Sequence, residues 1–278
     1  MSTYSTVKTQ AVDAANGVTY AYRSVGNETD DRPLVLLQHF RGNLDNWDPA
    51  LVDALARGRR VITFDNRGVG ATTGSTPHTV AAMAEDAVEF ITALGLTQVD
   101  LLGFSLGSFV AQEIVLIRPE LVNRVVLAAS APQGAAGMHG WAPEVIKAVG
   151  GETPSAEGYL SVFFTSAEAG GPVAGRIFTS RTEGHDAQTT WATRLAQYDA
   201  VTHWGIPNHA QLQRLQAITQ PVFVANGDTD PMILPRYSHL LAGLLPNAEI
   251  KIYPDAAHGF LFQHHEEFAA DVAAFLEK

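Results

Sequence analysis

The chain has no cysteine among its 278 residues, which excludes disulfides, thiolate metal sites and a cysteine nucleophile. Basic residues are scarce too: 18 Lys and Arg against 29 Asp and Glu leave a formal charge of -11 at pH 7. Nucleic acids and anionic membrane surfaces both require clustered positive charge, so neither is an expected partner. No run approaches the roughly 20 apolar residues that cross a bilayer. The N-terminal MSTYSTVKTQAVDAANG lacks the basic and then apolar order of a secretory leader. The expectation is a cytoplasmic protein, monomer or homodimer, with a small-molecule partner and no membrane insertion.

What is present supports one sizeable core, because 46% of the residues are hydrophobic. Strand-like runs recur at 18–24, 33–40, 60–65, 99–105, 124–130, 221–228 and 248–254. Most are continuously apolar rather than alternating, which is how strands of a parallel sheet covered on both faces read. Helical patterns fall between them at 46–56, 79–94, 106–117, 235–245 and 266–276. This alternation predicts an α/β fold, a mostly parallel central sheet flanked by helices. It breaks across 132–209, a stretch rich in Gly and Ala with scattered aromatics, among them Trp141, Tyr159, Phe163, Phe164, Tyr198 and Trp204. A structureless loop of that length is improbable. The segment is expected to be an inserted helical cap, with 1–131 and 210–278 forming the core.

The stretch VDLLGFSLGSFVAQEIV, 99–115, sets a serine between two glycines where a strand gives way to a helix. A turn this tight forces its central residue into strained backbone angles and leaves no room for side chains two positions away. Gly103 and Gly107 stand at those positions. Ser105 is the candidate nucleophile, with the Leu106 amide at the start of the helix as an oxyanion donor.

A serine hydroxyl needs a base, and the base works best when an acid fixes its tautomer. VFVANGDTDPM, 222–232, ends a strand in a turn with two carboxylates, and IYPDAAHGFLF, 252–262, carries His258 just after the last strand. Asp228 can serve the turn itself, whereas Asp230, further out, is better placed to reach His258. LLQHFRGNLDNW, 36–47, fits the loop that supplies a second oxyanion donor. FDNRGVGATT, 64–73, reads as a loop that shapes the site, with Asp65 and Arg67 holding it together.

Taken together, these residues resemble the α/β-hydrolase superfamily, in its branch of small lidded esterases and cofactor-free haloperoxidases. The resemblance implies the α/β-hydrolase fold and assigns GFSLG to the nucleophile elbow, Asp230 to the acid and His258 to the base, with no metal and no cofactor. One departure stands out: where the family reads His-Gly at the oxyanion turn, this chain reads His39-Phe40. By that pattern the second donor is the Arg41 amide, with Phe40 as the alternative. The Arg41 guanidinium is a candidate for reading a substrate carboxylate or another polar acceptor. His39, Trp141, Phe164, Trp204 and Met232 are expected to line the substrate pocket. The implied activity is hydrolysis of carboxylic esters through an acyl-enzyme. The same triad also serves lactonases, carbon–carbon bond hydrolases and perhydrolases, and a ligand receptor can retain it.

Overall fold

The computed structural model describes residues 3–29, 32–152, 155–179 and 189–278. Among them eight strands form one sheet: β1 (Gln10–Asp13), β2 (Thr19–Gly26), β3 (Leu34–Leu37), β4 (Arg60–Phe64), β5 (Val99–Phe104), β6 (Val122–Ala128), β7 (Val222–Gly227) and β8 (Ala248–Tyr253). Their order is β1-β2-β4-β3-β5-β6-β7-β8, antiparallel from β1 to β4 and parallel from there on. Helices α1 (Pro49–Leu55), α2 (Val80–Ala93) and α3 (Leu106–Ile117) form the first crossovers.

The strands β3, β5 and β7 are buried at every position, as continuous apolar runs in a covered sheet should be. β1 has no counterpart among the runs read from the sequence. It is four residues long, mostly exposed, and paired at the sheet edge with β2. The helix expected from 46 starts later, at Pro49, because the Asp48 carboxylate accepts from the Ala50 amide and Pro49 takes the first helical position. β6 stops at Ala128, where the next residue, Ala129, turns to φ 48.

Between β6 and β7 run α4 (Pro143–Val149), α5 (Ala156–Phe163), α6 (Ala167–Thr179) and α7 (Trp191–Trp204). Residues 153–154 and 180–188 of the expected cap lie outside the described residues. The chain returns through α8 (His209–Arg214) to β7, then α9 (Pro235–Leu244), β8, α10 (Phe260–Gln263) and α11 (His265–Leu276). Among the described residues no helix is long and apolar enough to cross a membrane.

The strand order fixes where a ligand can sit. The chain moves outward from β3 to β4, then jumps back over β3 to β5 and continues the other way. Open α/β sheets bind ligands at such a reversal, outside the carboxyl ends of the two strands. Leu37 at the end of β3 pairs with Gly103 near the end of β5. The 38–42 turn and Ser105 therefore emerge side by side.

Candidate active site

Ser105 sits between β5 and α3 at φ 55 and ψ -119. The two glycines around it are there for space. A Cβ at Gly103 would lie 2.4 Å from the Gly107 carbonyl oxygen, and one at Gly107 2.1 Å from that of Leu37. The elbow is anchored by the Ser105 amide donating to Ala128 O on β6 at 2.9 Å, and by the Ser108 amide and hydroxyl donating to Ser105 O. Ser108 and Ser130 hydroxyls bond to each other at 2.7 Å, and Gln112 donates to Ser130, so a buried polar chain backs the turn.

His258 and Asp230 meet as a buried pair, Nδ1 to Oδ2, at 2.8 Å. The other oxygen of Asp230 accepts from the amides of Met232 and Ile233 at 2.8 and 3.0 Å, which fixes the carboxylate within its own turn. With Nδ1 donating to a carboxylate, the bare nitrogen of His258 is Nε2, the atom a serine proton requires. Asp228 does something else. It is exposed, and its oxygens accept from the Asp255 and Ala256 amides, holding the turn that leads to His258. The loop carrying His258 is tied to the insertion through Gly259 N–H to Phe163 O at 2.7 Å.

The 38–42 turn departs from the sequence expectation. Gly42 N–H closes it onto His39 O at 3.0 Å, and Arg41 takes a left-handed φ of 65 in a place usually held by Gly or Asn. The Arg41 amide donates to Gln197 Oε1 on α7 at 2.7 Å, and its carbonyl accepts from Thr189. That amide is therefore engaged, which corrects its assignment as the free donor. Phe40 N–H and Leu106 N–H donate to no protein acceptor among the described residues. The Arg41 guanidinium is engaged as well: Nη1 and Nη2 donate to the carbonyls of Gly151 and Glu152 at 2.6 and 2.7 Å, just past the end of α4. These backbone oxygens, and not a substrate carboxylate, hold the fork.

A cavity of about 200 Å³ opens on these groups. His39, Arg41, Asn46, Ser105, Ser155 and His258 supply its polar lining. Phe40, Val149, Ala156, Phe163, Phe178 and Met232 make most of the rest, with Tyr159. Trp141, Phe164 and Trp204 are absent from that lining, against expectation. Trp204 stacks on Phe109 with centroids 5.0 Å apart and donates Nε1–H to Ala131 O, seating the insertion on α3. Trp141 backs Phe40 edge-on at 5.2 Å, and Phe164 is buried against Tyr159 and Phe163. Tyr159 and Phe163, which were not among the expected lining residues, stand four apart on α5, the spacing that puts two side chains on one helix face. They stack at 3.9 Å.

Burial acts strongly on two groups nearby. It pushes the His39 imidazole down to about 3, with the His258 ring adding to the effect against a raising hydrogen bond to Phe40 O. Asp65, whose oxygens accept from Leu44 and Ala71 amides, is pushed up to about 6 by desolvation. It clips the loop after β4 to the segment following the 38–42 turn.

Residues 34–271 match the Alpha/beta hydrolase family. A putative non-heme bromoperoxidase, BpoC, of Mycobacterium tuberculosis (strain CDC 1551 / Oshkosh) is 41% identical over 105 residues, covering 37% of this chain and 40% of that protein. A putative carbamate hydrolase, RutD, of Caulobacter sp. (strain K31) is 26% identical over 269 residues, covering 90% of this chain and 93% of that one. The solved structure of an alpha/beta hydrolase fold protein from Chitinophaga pinensis superposes over the full length of both chains at a TM-score of 0.92 and 39% identity. With the strand order, the elbow at Ser105 and this match over most of its length, the chain belongs to the alpha/beta hydrolase family.

Proposed function

We propose that this protein is a serine hydrolase that cleaves carboxylic esters of small molecules through an acyl-enzyme. The observation that carries the reading is the buried His258–Asp230 pair on the same cavity as Ser105. His258 Nε2 takes the Ser105 proton as the hydroxyl oxygen attacks the ester carbonyl. The resulting oxyanion rests on the Phe40 and Leu106 amides, neither of which has another acceptor among the described residues. His258 then protonates the departing alcohol, and in the second half it activates water against the acyl-enzyme. The helices between β6 and β7 act as the cap and wall the acyl pocket. The mainly apolar lining favours an uncharged acyl group of modest size.

A carbamate carbonyl is open to the same attack, and the full-length likeness to a protein named as a carbamate hydrolase makes it the second substrate class to try. Turnover of p-nitrophenyl esters from acetate to decanoate, by the wild type and by Ser105→Ala, tests the scheme. The expected result is multiple turnovers with an optimum among the shorter acyl chains, reduced about a thousandfold or more in the variant. Turnover by Ser105→Ala at the wild-type rate would refute it.

A further inference from the structure

From the His39 amide to the Gly42 amide, the turn after β3 leaves one backbone group unbonded among the described residues. His39 N–H donates to Gln38 Oε1 at 2.9 Å, and His39 O accepts from the Gly42 amide at 3.0 Å. Phe40 O lies 2.8 Å from His39 Nδ1, and since a carbonyl only accepts, Nδ1 carries the ring proton. The Arg41 amide donates to Gln197 Oε1 at 2.7 Å, and Arg41 O accepts from Thr189. What remains is the Phe40 N–H, the group on which the proposed mechanism rests the oxyanion.

The Gly42-to-His39 bond, with φ 65 at Arg41 and no positive φ at Phe40, makes this a type II turn. Types I and II differ by reversal of the central peptide, here Phe40–Arg41. Type II calls for Gly or Asn at its third residue, and Arg keeps that conformation only where its surroundings enforce it. Two bonds engage this peptide: His39 Nδ1–H on its carbonyl and Gln197 Oε1 on its N–H. His39 is part of the turn itself, so the outside clamp is Gln197, a fully buried side chain on α7. Its Nε2 is buried with no partner among the described residues, so the side-chain amide is engaged through its oxygen alone.

We propose that Gln197 is a positioning residue for the oxyanion turn. By accepting the Arg41 amide it holds the Phe40–Arg41 peptide in its type II orientation, and so keeps the neighbouring Phe40 N–H in place for the oxyanion. Without that oxygen the Arg41 amide loses its acceptor, and reversal of the peptide relieves the left-handed conformation at Arg41. Reversal also takes Phe40 O off His39 Nδ1, and the turn that presents the Phe40 amide then has two conformations instead of one. The oxyanion itself comes from the esterase proposal above, and this role rests on it.

Three variants test it. Gln197→Met and Gln197→Asn both withdraw the oxygen, the second while keeping a polar side chain in case the first fails to fold. Gln197→Glu retains an oxygen for the Arg41 amide and, since Nε2 makes no bond, breaks none. With p-nitrophenyl butyrate, the first two should lower kcat about tenfold to a hundredfold and leave KM within about twofold, because the oxyanion donor acts on the transition state. Gln197→Glu should restore kcat to within about threefold of the wild type. A methyl-substituted trifluoromethyl ketone reads the same donor without turnover: Ser105 Oγ adds to its carbonyl carbon, the proton passes to His258 and the π pair becomes the oxyanion. Its affinity, followed by fluorine NMR, should fall in step with kcat. A raised KM at unchanged kcat, unchanged ketone affinity in the Met and Asn variants, or a loss that Gln197→Glu shares would overturn the positioning role while leaving the esterase intact. A wild type that neither turns over the ester nor binds the ketone overturns the esterase proposal, and this role with it.

Discussion

Replacing Arg176 by Met should loosen the attachment of α6 to the core, and the structure gives the size of the loss. Asp48 is fully buried and carries two duties: it accepts from the Ala50 amide at the start of α1, and it receives Nε and Nη2 of Arg176 at 2.9 and 2.6 Å. Met retains much of the side-chain bulk but leaves the carboxylate without its cation. Breaking a fully buried pair this way costs about 3–5 kcal/mol. The Arg176 side chain is 34% exposed, so solvent already screens part of the interaction and about 2 kcal/mol is the better expectation. For a domain of this size that corresponds to a melting temperature lower by about 5 °C. Urea denaturation of the wild type, Arg176→Met, Asp48→Asn and the double variant measures it. Asn retains an oxygen for the Ala50 amide and removes the stranded charge, so the double variant should recover most of the loss. A single-variant change within about 0.5 kcal/mol, or a double variant no better than Arg176→Met, would refute the reasoning.

Two further outcomes follow from the geometry. Gly107→Ala should cost about 3 kcal/mol or more and abolish activity, since its Cβ would fall 2.1 Å from the Leu37 carbonyl, whereas Gly171→Ala in α6, with nothing within 4 Å, should stabilise by up to about 1 kcal/mol; parallel thermal melts decide it. The unfolded chain takes up a proton on His39 near its ordinary value of about 6.5, and the folded chain refuses it until about 3. The stability this contributes is complete above 6.5 and erodes as pH falls towards 3, at about 1.4 kcal/mol per unit. Between pH 7 and 5 the wild type should thus lose about 2 kcal/mol relative to His39→Phe in urea titrations, and parallel pH dependences would contradict it.

Most of the sheet was legible because parallel strands buried on both faces are long apolar runs. The edge strand β1 escaped because QAVD is short and mostly exposed, and its pairing with Tyr20 and Tyr22 of β2 is not a property of its own composition. Ser105, Asp230 and His258 were legible as candidates because each follows a strand, with turn residues beside it. The oxyanion turn misled for a physical reason. Which amide is free depends on a side chain 156 positions away, Gln197, and nothing local to Arg41 announces that partner. The pocket aromatics were harder. A Trp in a helical insertion serves equally to seat it, as Trp204 does on Phe109, and composition does not separate that from facing a substrate.

The turn at Arg41 bears on how the insertion can be exchanged. Its amide, carbonyl and guanidinium all bond to residues between β6 and β7: Gln197, Thr189, and the Gly151 and Glu152 carbonyls. A graft that brings in another protein's insertion would strip four hydrogen bonds from a residue held at φ 65, a conformation a non-glycine side chain keeps only when its surroundings enforce it. The turn and the insertion thus behave as a single heritable module, and a chimera that moves one without the other should change chemistry as well as specificity.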